Sequence, residues 1–459
     1  MHKTIKFISC LIILLAVLTN TVFASYTPDI ETYSDIYIVK SLDNDEVIIS
    51  KNADKKCAPA SLAAIATALV VMQSCKNLDE KVTVTQSACD SVLGTYSIIA
   101  NLVPGEEISI RELLCCMLIS GATDAAAMLA EYVGKTEGSF ASKMNALAKS
   151  LGCKNTVFKN PHGLDAEGQY TTASDVALLV KKAASNTEFM KIVSEIEHTV
   201  PKTNKSEERD IYSTNYLLNY YYPGYYFQYA KGIKSGATDN SGKCVASVAQ
   251  KDGYNYVTVV MKGPSQDVDN DNEEDNCALI DCRHLFEWVF DNIKLRTVVS
   301  QGQIISEIPV TNSWKTDHAS LVADNDYSAL VPSGIDEDSV SFKLLPNSSP
   351  EKINKSVKIG EVIAKAQVYY GNDVICTVNL TVSEDIHSSF LLSVFNVFGA
   401  MFRSTVFKII IILAIICIAG YIYLCVKINR RKKMARVKLV TPPKKNVKDI
   451  KSQREDENK

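Results

Sequence analysis

Residues Ala58–Leu69 read Ala-Pro-Ala-Ser-Leu-Ala-Ala-Ile-Ala-Thr-Ala-Leu, and the apolar run that they begin continues to Met72. A segment that is apolar on every side predicts a helix that is buried on every side. Because proline favours the first turn of a helix, Pro59 predicts its start and puts Ser61 in the first turn. Ser61 then has two interpretations: it caps the helix, or it is a nucleophile presented by the amino end of a core helix. These residues alone do not decide between them.

The composition narrows the classes of function. The chain has 459 residues, room for two or three domains, and its formal net charge of −3 argues against a nucleic-acid partner. Its six histidines are dispersed and form no His-Glu-x-x-His motif, and no glycine-rich phosphate loop is present, so neither a metal nor a cofactor is expected. The acidic stretch Asp267–Asn272 lacks the glycine of a calcium loop and is interpreted as a solvated surface loop. Thirteen scattered cysteines leave disulfide pairing open.

The two ends of the chain predict export and anchoring. Residues 1–24 combine two lysines, an apolar core and a small-residue cleavage pattern, which is typical of a secretory signal peptide. Residues 406–427 contain an uncharged apolar run long enough to span a bilayer. Because Arg430–Lys433 follows it directly, the positive-inside rule puts the charged tail, 428–459, in the cytoplasm. We therefore expect a single-pass protein of the cell membrane, mostly extracytoplasmic, with a disordered tail.

The body of the chain changes character near residue 293. Residues 25–293 predict a hairpin, a block of helices, three strands (228–234, 243–250 and 256–261) and a last helix, which is an α+β domain with helices on an antiparallel sheet. Residues 294–385 have short β-rich runs broken by Pro and Gly, which predicts a small all-β domain. Phenylalanines at helical spacing in 387–403 predict an amphipathic helix in the membrane interface.

One further motif has the chemistry of a binding site. Lys234-Ser235-Gly236 closes the first of the three predicted strands. A cationic head and a hydroxyl on an exposed strand can bind a terminal carboxylate, and small Gly236 lets a substrate lie against the strand as an added one. His162, within Asn160–Leu164, is interpreted as a loop residue rather than a base.

Four landmarks in order resemble the low-molecular-weight penicillin-binding proteins, the serine-type D-alanyl-D-alanine carboxypeptidases of peptidoglycan. They are Pro59–Leu62, Ser120–Ala126, Asn160–Leu164 and Gly232–Asp239. The resemblance covers about residues 30–290 and extends to the trailing β domain and the carboxyl-terminal anchor. It implies a β-lactamase/transpeptidase-like fold for 25–293. It also implies the D-Ala-D-Ala end of a stem peptide as substrate, and β-lactams as ligands.

The resemblance also implies roles for particular residues. Ser61 matches the family's nucleophile and Ser120 the serine of its second motif. Two motif positions depart from the family: Ala64 stands where the Ser-x-x-Lys motif has its lysine, and Ala122 stands in the asparagine position of Ser-x-Asn. An extra residue before Asp124 leaves that register open, so Thr123 is the other candidate for the asparagine position.

The third motif is retained. Lys234, Ser235 and Gly236 would hold the carboxylate of the stem peptide, and the backbone N–H groups of Ser61 and Ala237 would form the oxyanion hole. We therefore expect the groups that bind the substrate to be retained, whereas the groups that transfer the proton of the nucleophile are not.

Two hypotheses follow. In the first, the protein is a slow carboxypeptidase that uses Lys234, helped by Ser120, as the base for Ser61. In the second, it is an inactive, membrane-tethered homologue that binds stem peptides or wall-synthesis proteins. A β-lactamase shares the motifs, but the anchor and the β-rich stalk favour wall processing.

Overall fold

The structure is a computed structural model that describes residues 26, 28–335, 339–371 and 373–438. The predicted signal peptide, 1–24, and the end of the predicted tail, 439–459, lie outside the described residues. The chain forms two compact units. Of the described residues, one unit contains those up to Ile305 together with those in 322–349 and 362–380, and the other contains those in 306–321, 350–361 and from Thr381 onward.

The first part of the chain alternates short strands and helices before a three-stranded meander and a long helix. In chain order the elements are β1 (Ile36–Ser41), β2 (Val47–Lys51), α1 (Ala63–Ser74), β3 (Lys81–Thr83), α2 (Gln86–Asp90), β4 (Glu107–Ser109), α3 (Ile110–Cys115), α4 (Thr123–Gly134), α5 (Glu137–Ser150), α6 (Ala173–Ala184), α7 (Thr187–Val193), β5 (Glu197–Val200), β6 (Arg209–Tyr212), β7 (Ala230–Thr238), β8 (Gly242–Lys251), β9 (Tyr254–Gly263), β10 (Ser265–Gln266), β11 (Asp275–Asn276) and α8 (Cys277–Asn292).

A five-stranded antiparallel sheet, with the order β2-β1-β9-β8-β7, separates two hydrophobic cores. Successive residues of a strand face opposite sides of a sheet. In β1, Ile36 and Ile38 accordingly belong to the core that contains the helical block, whereas Tyr37 and Val39 belong to the core that contains α8. Strand β7 is an edge of this sheet, so one side of its backbone is not paired with another strand of the sheet.

Helix α1 lies within the core of the helical block. Every residue from Ala63 to Val71 is buried, as the almost unbroken apolar sequence predicts. A short 3-10 turn, Ala60–Leu62, precedes α1, and a π turn, Cys116–Ser120, follows α3. These two turns are the irregular segments that carry the two serines predicted for the site.

The later part of the chain is β-rich. Its strands are β12 (Ile293–Val299), β13 (Ile304–Pro309), β14 (His318–Ala323), β15 (Tyr327–Pro332), β16 (Ser341–Leu344), β17 (Ala364–Tyr370) and β18 (Asp373–Val382). β12 pairs with β15, and β17 pairs with both β16 and β18, all antiparallel. The sequence did not predict β14, β15 or β17. In β17, alanines fill the inward positions 364 and 366 and weaken the hydrophobic alternation.

Two helices end the described chain: α9 (Phe390–Arg403) and α10 (Thr405–Lys438). Asn396 of α9 donates a hydrogen bond from Nδ2 to Asn312 Oδ1 at 2.7 Å. The phenylalanines of α9 are exposed. Residues Thr405–Lys433 of α10 are long and apolar enough to cross a membrane. The predicted fold class is confirmed: helices on an antiparallel sheet, then an all-β part and a long apolar helix.

Candidate active site

Ser61 lies in the 3-10 turn before α1, where the neighbouring backbone is strained. Ala60 has φ +46°, in the left-handed backbone region that residues other than glycine rarely adopt. The loop Asn160–Leu164 packs directly against this turn: an ideal Cβ at Gly163 would lie 1.7 Å from the Ala60 carbonyl oxygen. Asn160 shapes that loop by accepting from Gly163 N at 2.7 Å and donating to Leu164 O at 2.8 Å. The loop therefore fixes where the turn presents Ser61.

Strand β7 also lies directly against Ser61. An ideal Cβ on Gly236 would lie 2.5 Å from both Cβ and Oγ of Ser61, so any side chain at position 236 would collide with the serine. The absence of a Cβ at Gly236 thus allows the edge strand and the serine turn to lie together. The resulting arrangement places the unpaired edge of β7 beside the hydroxyl.

Lys234 is fully buried and points towards the π turn. Its Nζ donates a hydrogen bond to Thr214 Oγ1 at 2.9 Å, and an ideal Cβ on Gly121 would lie 3.3 Å from the same nitrogen. Burial lowers the pKa of Lys234 to about 7, because the charged ammonium is deprived of water. At neutral pH this amine is therefore available in both its charged and its neutral form.

Thr214 was not predicted from the sequence, yet it holds two predicted site residues. Besides accepting from Lys234, it accepts a hydrogen bond at its backbone carbonyl from Ser235 Oγ at 2.5 Å. Its own N–H donates to Ile119 O, in the π turn, at 3.2 Å. Thr214 thus links β7 to the turn that carries Ser120. Nothing local in the sequence signals this role, since it depends on a loop that the fold brings to β7.

The π turn determines the surroundings of Ser120. Ser120 Oγ donates a hydrogen bond to Cys116 O, four residues earlier, at 2.7 Å, and Gly121 then ends the turn at φ +85°. Ala122 is fully buried, whereas Thr123 lines the cleft and lies 2.7 Å, Oγ1 to Oγ, from Ser97. The sequence left Ala122 and Thr123 as candidates for the asparagine position, and of these two residues Thr123 is the one that lines the cleft.

The predicted site residues line one cleft of about 560 Å³, a volume in the range of small-ligand sites. The predicted residues that line it are Ser61, Ser120, Lys234, Ser235, Gly236 and Ala237. Ala64 is 2% exposed, belongs to the core of the helical block and does not line the cleft. Among the described residues that line this cleft, Lys234 is the one lysine.

His162 also lines the cleft, but its surroundings keep it neutral. Burial lowers the pKa of its imidazole to about 4. Its Nδ1 accepts a hydrogen bond from Leu164 N at 3.3 Å, which is the loop role expected from the sequence. The cleft therefore combines a serine hydroxyl, a buried amine and a strand edge, a set suited to binding an extended peptide with a terminal carboxylate.

Comparison with known proteins agrees with this class of site. The family model described as D-alanyl-D-alanine carboxypeptidase, peptidase S11, matches residues 21–265, and the model of the penicillin-binding protein 5 carboxyl-terminal domain matches residues 294–388. The first match covers more than half of the chain. The protein belongs to the D-alanyl-D-alanine carboxypeptidase family.

Relatives and solved structures of this family match between half and four fifths of the chain. D-alanyl-D-alanine carboxypeptidase DacF of Bacillus subtilis is 27% identical over 328 residues, 70% of this chain and 79% of the relative. DacB2 of Mycobacterium tuberculosis is 31% identical over 229 residues, 50% of this chain and 74% of the relative. The crystal structure of DacD from Francisella tularensis, 20% identical, has the same fold, with a TM-score of 0.63 over 80% of this chain and 97% of that one.

Proposed function

We propose that the protein is a membrane-anchored, serine-type carboxypeptidase that binds the D-Ala-D-Ala end of peptidoglycan stem pentapeptides and removes the terminal D-Ala slowly. The observation that carries this proposal is the single cleft lined by Ser61, Ser120 and the buried amine of Lys234. Membership of the D-alanyl-D-alanine carboxypeptidase family supports the choice of substrate.

The reaction follows from the positions of these groups. The stem peptide adds to the free edge of β7, and Lys234 with Ser235 binds its terminal carboxylate. Ser61 Oγ attacks the carbonyl carbon of the penultimate D-Ala, and the backbone N–H groups of Ser61 and Ala237 stabilise the oxyanion. The terminal D-Ala leaves with its amino group protonated, and water then hydrolyses the ester on Ser61.

The proton of Ser61 is the difficult part of this reaction. The neutral form of Lys234 is the amine available to take it, because its pKa is lowered to about 7 by burial. Ala64 supplies no second amine, and loss of a positioned base typically costs about 10²–10⁴-fold in rate. We therefore expect slow acylation of Ser61.

A second candidate function is binding without catalysis. Ala64 is buried in the apolar core, and Ser120 donates its hydroxyl proton to a backbone carbonyl rather than towards another side chain. These two observations favour a tethered module that recognises stem peptides or wall-synthesis proteins. The same cleft and the same Lys234–Ser235 pair would then serve recognition alone.

The proposed location is the outer face of the cell membrane. Helix α10 would span the bilayer, and Arg430–Lys433, at the end of the candidate span Thr405–Lys433, would lie in the cytoplasm by the positive-inside rule. Helix α9, with exposed phenylalanines, would lie in the interface. The predicted signal peptide, 1–24, would direct export of the rest.

A fluorescent penicillin tests the proposal, because it acylates the same serine that the peptide would. With the full chain in membranes, we expect slow covalent labelling that Ser61→Ala abolishes. The matched control Ser142→Ala, at an exposed serine of α5, should label like the native protein. Mass spectrometry should place the adduct on the peptide containing Ser61. Stem-peptide binding without labelling would select the binding-only function, and neither binding nor labelling would overturn both.

A further inference from the structure

A cluster of metal-ligand type lies outside the cleft, where α3 meets β5. Glu112 and Cys115 are three residues apart on α3 and so share a face of the helix. His198 comes from β5. Each residue offers one ligand atom: a carboxylate oxygen, a sulfur or a ring nitrogen. These three atoms lie within 4.8 Å of one another. The tightest pair is His198 Nε2 and Glu112 Oε2, at 2.7 Å.

A fourth residue orients the imidazole. His198 Nδ1 lies 2.8 Å from Glu195 Oε2. In metal sites, a ligating histidine almost always donates its other ring N–H to a carboxylate or carbonyl, which fixes the ring and presents the remaining nitrogen to the metal. Glu195 occupies that position here, and Nε2 faces Glu112.

We propose that Glu112, Cys115 and His198 form a Zn²⁺-binding site, with Glu195 as the positioning residue for His198. A thiolate, an imidazole and a carboxylate are each ligands that bind Zn²⁺ in proteins. Tetrahedral bonds of about 2.0–2.3 Å put neighbouring ligand atoms about 3.5 Å apart, so a side-chain rotation that opens the 2.7 Å pair of His198 and Glu112 makes room for the ion. The fourth position goes to water, and the partly exposed His198 and Glu195 give the ion a path of entry.

The site would tie the end of α3 to β5. Cys115 is followed by Cys116, whose carbonyl accepts the hydrogen bond from Ser120. A metal held at Cys115 would thus fix the residue from which the π turn of the cleft starts.

Binding must displace protons, and this distinguishes a metal site from an ion-pair cluster. Binding of Zn²⁺ converts the thiol to a thiolate and the imidazolium to an imidazole, and it releases up to two protons. Affinity should therefore rise with pH.

The experiment titrates the full chain, in detergent and under reducing conditions, with Zn²⁺ against a chromophoric chelator. We expect Cys115→Ala and His198→Gln each to lose one equivalent of tightly bound metal, and Glu195→Gln to weaken binding about 10–100-fold. The neighbouring buried thiol supplies a matched control, since Cys116→Ala should retain that equivalent. With Co²⁺, the native protein should show a thiolate-to-metal absorption band. This band should disappear in Cys115→Ala and remain in Cys116→Ala.

Metal bound by the other cysteines of the chain would appear equally in every variant. Equal stoichiometry in native protein, Cys115→Ala and His198→Gln, with no proton release, would overturn the proposal and leave an ion-pair cluster. Circular dichroism checks the folding of each variant, and Glu112→Gln, at a partly exposed position, replaces any variant that does not fold. Penicillin labelling at Ser61 is measured separately, so failure here is distinct from failure of the proposed function.

Discussion

The two walls of the cleft differ in how much chemistry they carry. The β7 wall has three adjacent functional positions: Lys234 and Ser235 are both anchored to Thr214, and Gly236 makes room for Ser61. The α1 wall has the hydroxyl of Ser61 and then a helix whose buried residues are apolar except for Thr67, which donates its hydroxyl proton to the Pro161 carbonyl. Recognition of a carboxylate and activation of a hydroxyl are therefore separable, and this chain contains the groups for the first more completely than those for the second.

A single amine cannot serve both tasks in one protonation state. As an ammonium, Lys234 attracts a carboxylate but cannot accept the proton of Ser61; as a neutral amine, it accepts the proton but attracts the carboxylate weakly. A second lysine on the helix wall would separate the tasks. This contrast can be tested by substitutions in either wall.

The largest expected effect comes from restoring an amine to the helix wall with Ala64→Lys. Positions 61 and 64 share a helix face, so the new amine can take the Ser61 proton. We expect the second-order rate of penicillin acylation to rise about 10²–10⁴-fold, measured as labelling over time.

Ala68→Lys is the matched control, because Ala68 is a buried alanine one turn further along the same helix. It carries the same cost of burying a lysine without placing an amine near Ser61, so it should give no increase. If Ala64→Lys folds, by circular dichroism, and labels no faster than the native protein, the difference between the walls does not limit acylation.

The next effect is a pair of opposite pH profiles in the native protein. Because the pKa of Lys234 is about 7, the ammonium is lost as pH rises through 7, and affinity for a D-Ala-D-Ala peptide should fall by up to about tenfold per pH unit above it. Acylation needs the neutral amine, so its rate should rise by up to about tenfold per pH unit below 7 and level off above 7. Calorimetry measures the first profile and labelling the second.

Lys234→Gln should flatten both profiles, whereas Lys231→Gln, at an exposed lysine of the same strand, should change neither. If peptide affinity depends on the protonation of Lys234 but penicillin labelling is absent at every pH, the α1 wall does not support acylation. Profiles that are flat in the native protein would remove Lys234 from both roles.

The contrast also bears on what the sequence could predict. The buried helix after Ser61 and the break at Ser120 were predictable, because an almost unbroken apolar run and a glycine have strong local preferences. The strand predicted to end at Lys234 instead continues to Thr238. Ser235 and Gly236 have low β-propensity, and pairing with β8 overrides it. Thr214 and the Glu112–His198 pair were not predictable, since each depends on contacts between segments distant in the chain.

The smallest expected effect tests how closely the two walls approach. Gly236→Ala would put a methyl carbon 2.5 Å from both Cβ and Oγ of Ser61, closer than side-chain atoms pack, so the serine turn or the strand must move away. We expect labelling at Ser61 to fall about tenfold, equivalent to about 1.4 kcal/mol, with little change in melting temperature. In the control Gly138→Ala, nothing lies within 4 Å of the new methyl group and labelling should stay unchanged. Full labelling of Gly236→Ala would mean that the walls can separate without loss of acylation, so that a close approach of β7 to Ser61 is not required for the chemistry.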